Sequence, residues 1–350
     1  YIGGSLILRG DRITFIEQPQ AVEEITRRGL YLDLSAARRK PAPVDTQPSI
    51  TDLHPNIVLP PSYFYCVRSL EEALKLGPYD LAIFALKSFD TQPVIESLQP
   101  FLSDLPTFLC LQNGVENEVA LANALGPDRV IAGTVTSAVS RRNIGEIILE
   151  RLRGIGVALG HPISRRLVYI LNEAGLNAQV YTSSAEMKWS KLLTNLLANA
   201  TSAILDMTPA EVFAHPGLYR LEIDQLVEAL RVMDAQNLRV VNLPGTPVRL
   251  LALGTRLPIF LSKPLMQRSV GKGRGAKMPS FHIDLHSGRG KSEVDFLNGA
   301  VARFGKRLGV PTPVNHTLNE TLLALTEGKT PLEFYARKPQ VLLDSMGERE

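Results

Sequence analysis

Two apolar runs constrain the fold of this chain more than any other feature. Leu81–Leu86 (LAIFAL) and Thr107–Leu111 (TFLCL) each follow turn signals and contain no charged residue. Runs of this kind are typical of strands that are buried on both faces of a parallel sheet. Helical spacing follows each run, at Val94–Leu102 and at Asn117–Leu125. This alternation of strands and helices predicts a doubly wound α/β domain.

The rest of the chain divides into a part with strands and a part without them. Ile13–Glu17 has the pattern of a strand, whereas Gly3–Arg9 and Ala21–Arg28 have that of helices. Further strands are predicted at Val130–Thr136, Ile147–Leu152 and Gly154–Leu159. From about residue 184 the predicted elements are the helices Glu186–Leu205, Leu218–Ala235, Val294–Leu308 and Pro313–Thr326. We therefore predict an α/β domain over residues 1–182 and an all-α domain over residues 183–345.

Composition excludes several classes of partner. The chain has 350 residues, which suits two domains, and a net charge of +3 does not indicate binding to nucleic acid or to a membrane. None of its apolar runs has the length of a membrane-spanning helix. Its two cysteines, Cys66 and Cys110, lie far apart in strand-like runs, so we interpret both as buried free thiols and expect a cytoplasmic protein.

One basic stretch stands apart from this ordinary composition. Residues 235–283 contain no Asp or Glu, and they hold eight basic residues: Arg239, Arg249, Arg256, Lys263, Arg268, Lys272, Arg274 and Lys277. Two interpretations stay open, a solvated basic loop and a mobile flap that attracts anions beside a site. The glycine-rich centre, Gly271–Gly275, follows no strand and lacks the spacing of a nucleotide motif, so we do not interpret it as a phosphate loop.

The start of the chain bears on cofactor binding. A doubly wound domain that binds a dinucleotide begins with a strand, a G-x-G-x-x-G loop and a helix. This chain begins with YIGGSL and reaches its next strand at Ile13, so we expect the first strand and the glycine-rich loop to be missing from the sequence as given. At the end of that next strand, Glu17 and Gln18 occupy the place where an acidic residue binds the ribose of NAD or a basic one the phosphate of NADP. A plain surface position at a strand end explains Glu17 equally well.

The segment from Trp189 to Asn199 (WSKLLTNLLAN) is the most informative one for chemistry. Its spacing places Lys191, Asn195 and Asn199 at i, i+4 and i+8, on one face of a predicted helix. A buried amide without a partner costs about 1–3 kcal/mol, so two Asn on an apolar helix need hydrogen bonds to another helix or to a polar ligand. The lysine adds a transferable proton. From these residues alone, both explanations stay open.

Polar residues also follow the two strands that define the α/β domain. Lys87 comes directly after LAIFAL, and Asn113 follows TFLCLQ. Ligands of open α/β sheets bind outside the carboxyl ends of the strands. The pair therefore favours a contact with a cofactor or a substrate.

Two further polar groups lie near the end of the chain. Ser292 followed by Asp295 suggests a capped helix start, which also gives Glu293 a structural explanation near the positive helix end. His282 and His286 are spaced i, i+4, as metal ligands often are. Neither the glutamate of zinc hydrolases nor a cysteine accompanies them, so we expect no metal site.

Taken in order, seven segments of the chain resemble the signature segments of the ketopantoate reductase (2-dehydropantoate 2-reductase) family. They are AIFALKSFD, CLQNGVENE, GTVTSAV, KWSKLLTNLLANATSAIL, MPSFHIDL, KSEVDFLNG and GVPTPVN. The resemblance implies a Rossmann-type domain followed by an all-α domain like that of 6-phosphogluconate dehydrogenase. It also implies the reduction of ketopantoate to pantoate with NADPH, a step toward pantothenate and coenzyme A.

The resemblance further implies a role for each candidate residue. Lys191 matches the catalytic lysine, which would protonate the developing alkoxide. The substrate-binding positions are Asn113, Asn195, Asn199 and Ser280. The cofactor-binding positions are Lys87, Asn113 and Glu293.

Several departures from the family pattern keep alternatives open. Gln18 stands where the family usually has an arginine, so we expect NADP ahead of NAD but a relaxed preference, with Arg27 or Arg28 as other readers of the phosphate. One residue is inserted between Ser280 and Glu293, and the basic stretch is long. The chain is then a reductase of ketopantoate, a reductase of another bulky 2-oxo acid, or a non-catalytic dinucleotide-binding sensor. The expected partner is a small 2-oxo acid, and a homodimer stays open.

Overall fold

The computed structural model of the chain describes residues 1–37, 56–258, 261–263 and 277–347. Within them the strands are β1 (Thr14–Ile16), β2 (Leu30–Asp33), β3 (Asn56–Leu59), β4 (Tyr65–Val67), β5 (Leu81–Phe84), β6 (Thr107–Cys110), β7 (Val130–Val135), β8 (Ala138–Asn143), β9 (Glu146–Arg151), β10 (Ile155–Ala158) and β11 (Ala178–Tyr181). The glycine-rich centre of the basic stretch, Gly271–Gly275, lies outside the described residues.

The strands form three sheets. A five-stranded sheet has the order β11-β10-β7-β6-β5; β5, β6 and β7 run parallel, and β10 is antiparallel to β7. Strands β1 and β4 form a parallel pair, and β3-β2-β9-β8 form a mixed sheet. The α/β class predicted from the sequence is the one that the chain adopts, with helices between successive parallel strands.

The two apolar runs differ in burial. Leu109 and Cys110 of β6 are completely buried, as the sequence predicts for a strand covered on both faces. The prediction is wrong for β5, where Leu81, Ala82 and Ile83 are only half-buried. The reason is position, because β5 is the last strand in the order of its sheet. Of the two cysteines, both free, Cys110 is buried as expected, whereas Cys66 is half-buried.

The mixed sheet was not predicted as a whole. Only β9 was expected among its four strands. β8 (AVSRRN) is polar and largely exposed, so it lacks the apolar pattern by which strands are recognised. β2 has only four residues and begins directly after Gly29, at the end of a helix. Short or polar strands depend on pairing with neighbours, which sequence periodicity does not record.

Helices make up the C-terminal half and connect the strands of the N-terminal half. They are α1 (Ile2–Arg9), α2 (Pro19–Arg28), α3 (Leu70–Leu74), α4 (Thr91–Leu98), α5 (Asn117–Leu125), α6 (Ser164–Glu173), α7 (Ser184–Leu196), α8 (Ala200–Leu205), α9 (Pro209–Ala214), α10 (Pro216–Ala235), α11 (Val248–Gly254), α12 (Ser280–His286), α13 (Val294–Leu308), α14 (Pro313–Thr326) and α15 (Pro339–Gly347). The largest apolar core is formed mainly by α7, α8, α10, α13 and α14. Among the described helices, none combines the length and apolar character of a membrane span.

The prediction of one helix over Glu186–Leu205 is wrong. α7 ends at Leu196 and α8 begins at Ala200, and between them Ala198 adopts a left-handed backbone conformation with φ of 48°. The break is stabilised by Glu222, a completely buried residue of α10. Its Oε2 accepts a hydrogen bond from the backbone N–H of Ala198 (2.7 Å), and its Oε1 accepts one from the hydroxyl of Thr201 (2.6 Å). In a continuous helix the Ala198 N–H would instead bond the carbonyl four residues earlier.

Candidate active site

The site begins at the carboxyl ends of β5 and β6, which run parallel and therefore end at the same edge. Lys87 follows β5, and its Nζ lies 2.9 Å from Oδ2 of Asp284 on α12 and 2.9 Å from Oε2 of Glu293. Burial lowers the pKa of Lys87, but the two carboxylates outweigh burial and the pKa is raised overall. Lys87 is therefore a stable cation, and about a third of its side chain is exposed.

Glu293 connects this edge to the helical half of the chain. The residue is only 2% exposed, and its Oε1 accepts hydrogen bonds from the backbone N–H (3.1 Å) and the hydroxyl (3.0 Å) of Ser88. At the start of α13, the hydroxyl of Ser292 accepts a hydrogen bond from the backbone N–H of Val294. Glu293 does stand at the start of α13, as predicted, but its carboxylate makes no capping hydrogen bond there and faces the β5 edge instead.

Asn113 continues the site from the end of β6. Its Oδ1 accepts a hydrogen bond from Nδ2 of Asn195, on α7, at 2.9 Å. Its backbone carbonyl accepts one from Nδ2 of the buried Asn117 at 2.6 Å. Asn113 is thus held on both its backbone and its side chain, by contacts to both halves of the chain.

Asn199 does not share a helix face with Lys191 and Asn195, because the helix breaks before it. The break nevertheless brings it into contact with Asn195, since its Nδ2 donates to the Asn195 backbone carbonyl at 3.0 Å. The same nitrogen lies 3.3 Å from Oγ of Ser280, and its Oδ1 accepts from the backbone N–H of Phe281 at 3.0 Å. Asn199 is 3% exposed, whereas Ser280 is exposed at the start of α12. The side chain thus positions α12 beside α7.

Lys191 lies on α7 one turn before Asn195, on the same helix face, and is half-buried. Its backbone carbonyl accepts a hydrogen bond from the hydroxyl of Thr194. Hydrogen bonds bring the sequence-predicted residues together across the two halves of the chain. Lys87 contacts Glu293, and Asn113 contacts Asn195. Asn199 contacts both Asn195 and Ser280. Lys191 lies one turn before Asn195, and we refer to the region that these residues border, at the carboxyl ends of β5 and β6, as the crevice.

The sequence reasoning missed Lys188, one turn before Lys191. It is only 4% exposed, and its Nζ lies 2.6 Å from Oε1 of Glu118 and donates to the carbonyl of Gln112 at 2.5 Å. These contacts fix α7 to the end of β6 and to α5. A lysine on the apolar side of a helix was a visible signal, but its partners lie far away in sequence.

The region after β1 is where the ribose was expected to bind. Glu17 follows β1 and is exposed, and its N–H donates to the carbonyl of Val67 in β4. Ile16 pairs with Val67 in the two parallel strands. The residues that follow them, Glu17 and Arg68, are therefore also adjacent to each other. Arg68 was overlooked because adjacency of β1 and β4 is not visible in the sequence.

Arg27 and Arg28, the other basic residues considered for the phosphate, lie at the far end of α2. That helix has ten residues, so they are about 15 Å along its axis from Gln18. Both pair with Glu24, at 2.7 and 3.0 Å. Their position makes them poor candidates for contact with a group bound at Glu17.

The histidine pair has a third neighbour that the sequence did not indicate. Nε2 of His282 lies 2.9 Å from Oδ1 of Asp206, and the rings of His282 and His286 are 4.2 Å apart. Asp206 ends α8, 76 positions before His282. The three side chains form a compact cluster on the surface.

Comparison with known proteins identifies two matching family models. A model described as ketopantoate reductase PanE/ApbA matches residues 1–158, and one described as its C-terminal domain matches residues 184–326. A 2-dehydropantoate 2-reductase from Mesorhizobium japonicum is 29% identical over 274 residues, which cover 71% of this chain and 77% of that protein.

Solved structures share the fold over nearly the whole chain. A PanE/ApbA family ketopantoate reductase from Ralstonia eutropha JMP134 is similar with a TM-score of 0.73 and 24% identity, covering 94% of this chain and 95% of the other. D-Mandelate dehydrogenase, in a ternary structure with NADH and anilino(oxo)acetate, is similar with a TM-score of 0.70 and 19% identity, covering 93% and 94%.

Proposed function

The chain belongs to the ketopantoate reductase family, and from this premise we propose that it reduces ketopantoate to pantoate with a nicotinamide dinucleotide. The observation that carries the proposal is the crevice in which Asn113, Asn195, Asn199 and Ser280 converge beside Lys191, at the carboxyl edge of the sheet. This edge is where ligands of open α/β sheets bind.

Lys191 is the proposed general acid. A bound reduced nicotinamide would supply the hydride for the ketone carbon. The ammonium of Lys191 then donates a proton to the carbonyl oxygen as negative charge develops on it. Its place one turn before Asn195 allows the substrate oxygen to contact both side chains. The amides of Asn195 and Asn199 and the hydroxyl of Ser280 orient the substrate's hydroxyl and carboxylate.

Lys87 and Glu293 are proposed to hold the cofactor side of the crevice. The buried Glu293 fixes the position of the Lys87 ammonium, leaving its exposed part directed at a bound ligand. Asn113, held from both sides, would contact cofactor and substrate together. The donor set fits a nicotinamide dinucleotide, because Glu17 offers a carboxylate to a ribose hydroxyl at the end of β1 and Lys87 offers a cation after the end of β5.

We propose NADPH as the preferred cofactor, with NADH also used. Gln18 carries no charge and Glu17 repels a 2′-phosphate, which weakens the preference. Arg68, adjacent to Glu17, supplies the missing cation, and among the residues that the structure describes its side chain pairs only with the exposed Glu23, at 3.2 Å. Such an exposed pair is weak, so Arg68 is available to exchange partners.

A substrate panel tests the function. Full-length protein is assayed with NADPH and with ketopantoate, other branched 2-oxo acids and an aromatic 2-oxo acid, following the absorbance of the reduced cofactor. We expect the highest kcat/KM for ketopantoate. A higher value for the aromatic acid would assign the chain to the activity of its structural neighbour D-mandelate dehydrogenase. Cofactor binding without turnover of any of these acids would instead support a non-catalytic sensor.

The proposal includes the organisation and setting of the protein. We assign dinucleotide binding to residues 1–182 and substrate binding and catalysis to residues 183–345. The two free cysteines fit a reducing cytoplasm. Burial raises the pKa of Cys110 to about 12, which keeps this thiol protonated. The partner is a small 2-oxo acid, and a homodimer is the oligomeric state to test.

A further inference from the structure

We propose that Asp206, His282 and His286 form a binding site for a first-row transition-metal dication such as Zn²⁺, on the surface outside the substrate crevice. Each side chain offers one ligand atom, and the three atoms lie within 4.8 Å of one another. They come from two elements, since Asp206 ends α8 and the histidines lie on α12. The site requires nothing from the proposed reductase activity.

The distances suit tetrahedral coordination after small side-chain movements. Zinc bonds of about 2.0–2.2 Å to nitrogen and oxygen place neighbouring ligand atoms about 3.3–3.5 Å apart. The pair Asp206 Oδ1 and His282 Nε2, at 2.9 Å, is already slightly inside this separation. His286 and Asp206 are exposed, so their rotamers can adjust without disturbing packing. Two imidazoles spaced i, i+4 on a helix present their nitrogens on one face, the arrangement found in zinc sites.

The ligand set selects the class of metal. Two imidazole nitrogens and one carboxylate oxygen suit zinc, copper, nickel and cobalt, whereas calcium and magnesium prefer oxygen ligands alone. Three protein ligands leave a fourth position for water. The exposure of the cluster places this position in solvent.

A bound ion would fasten two elements that already meet in the substrate crevice. α8 begins after Asn199, and α12 begins with Ser280, whose hydroxyl lies 3.3 Å from Asn199. The same helix α12 carries Asp284, the partner of Lys87. The contact between Asn199 and Ser280 holds the starts of α8 and α12 together. A metal bound by Asp206 and His286 would join the other ends of the same two helices. Binding to the folded state alone raises its stability by mass action.

The test uses tag-free full-length protein, freed of metal with a chelator and titrated with Zn²⁺ by calorimetry and with Co²⁺ by visible absorption. We expect one ion per chain. His286→Ala and Asp206→Asn should each weaken Zn²⁺ binding by about tenfold or more. Loss of a group that only supports a metal ligand already costs about tenfold, and these substitutions change the ligands themselves. Asparagine is a matched replacement at 206, because it tolerates the left-handed backbone (φ 49°) of that position. His316→Ala, on the exposed side of α14, is the control and should bind like the unmodified protein.

A thermal measurement provides a second readout that does not depend on activity. At a hundredfold excess of Zn²⁺ over its Kd, the Tm of the unmodified protein and of His316→Ala should rise by roughly 2–5 °C. At the same Zn²⁺ concentration, the Tm of His286→Ala and Asp206→Asn should rise by about half as much or less. Circular dichroism verifies that the variants fold. Absence of saturable binding in the unmodified protein, or equal binding by His286→Ala, would overturn the proposal without bearing on the reductase function.

Discussion

Buried carboxylates occur both at the sheet edge and inside the helical bundle, and the two regions use them differently. At the edge, Glu293 accepts from a lysine and a serine side chain. In the bundle, Glu222 accepts from the backbone N–H of Ala198, and Glu228 from those of Val314 and Asn315. The carboxylate at the edge thus holds a cation in addition to the backbone N–H of Ser88, whereas those in the bundle bind the backbone and neutral side chains. A buried carboxylate supports the proposed site in one case and the shape of the bundle in the other.

The largest expected effect comes from Lys191, the proposed general acid. Lys191→Ala should lower kcat by about 100-fold or more, because the site would lose its proposed proton donor, while α7 keeps its apolar face. Steady-state kinetics with NADPH and ketopantoate measure the loss, and circular dichroism verifies the fold. Near-normal turnover in this variant would rule out Lys191 as the general acid.

A matched pair of substitutions separates shape from function in the bundle. Glu222→Gln replaces an acceptor that the Ala198 N–H and the Thr201 hydroxyl both need, so the unfolding free energy should fall by about 1–3 kcal/mol. Because Asn199 follows this break, kcat/KM should also fall about tenfold, less than the hundredfold that a displacement of 1 Å can cause.

Glu228→Gln is the control for this experiment. Glu228 lies on the same helix, but its contacts are to the start of α14, away from the crevice, so kcat/KM should stay within about twofold of the unmodified enzyme. Equal losses of activity in the two variants would show that Glu222 acts through overall stability and not through the break.

A smaller effect on activity is expected at the exposed pair of strands β1 and β4, where solvent weakens the interactions between charged groups. Arg68→Ala should raise the KM for NADPH about tenfold, the equivalent of one charge-assisted hydrogen bond, and leave the KM for NADH unchanged. Arg27→Ala, at the far end of α2, is the matched control and should change neither value. A loss of NADPH affinity in Arg27→Ala alone would indicate that the 2′-phosphate of NADPH binds at the Arg27 end of α2 instead.

The smallest expected effect is the pH dependence of Glu228. Burial raises its pKa above the ordinary value of 4.5, despite the hydrogen bonds that it accepts. The folded state therefore binds this proton more tightly than the unfolded state, and the stability that it contributes is lost as the pH rises above 4.5. Urea unfolding at pH 5 and pH 7 should show the unmodified protein losing stability relative to Glu228→Gln. A relative gain at pH 7 would contradict the direction of the shift.

The comparison also explains which parts of the molecule were predictable. The helices α5, α13 and α14 have the predicted bounds because long apolar periodicity reflects a local property of the chain. The candidate residues could be grouped because they follow strands or share a helix segment. The break before Asn199 was not predicted, since it depends on Glu222, more than twenty positions away. Arg68, Lys188 and Asp206 were missed for the same reason, because their partners become neighbours only in the folded chain.

The left-handed backbone of Ala198 has a consequence for anyone who evolves or redesigns this protein. An L-residue in that conformation carries roughly 1–2 kcal/mol of strain, which glycine would relieve. Glycine would also add disorder to the unfolded chain, worth about 0.5–1 kcal/mol, so most of the gain would cancel. A stability screen would therefore score Ala198→Gly as nearly silent. Yet glycine would give the break between α7 and α8 more conformational freedom, next to Asn199. Substitutions at this position would therefore first lower substrate discrimination, in a protein that still folds well.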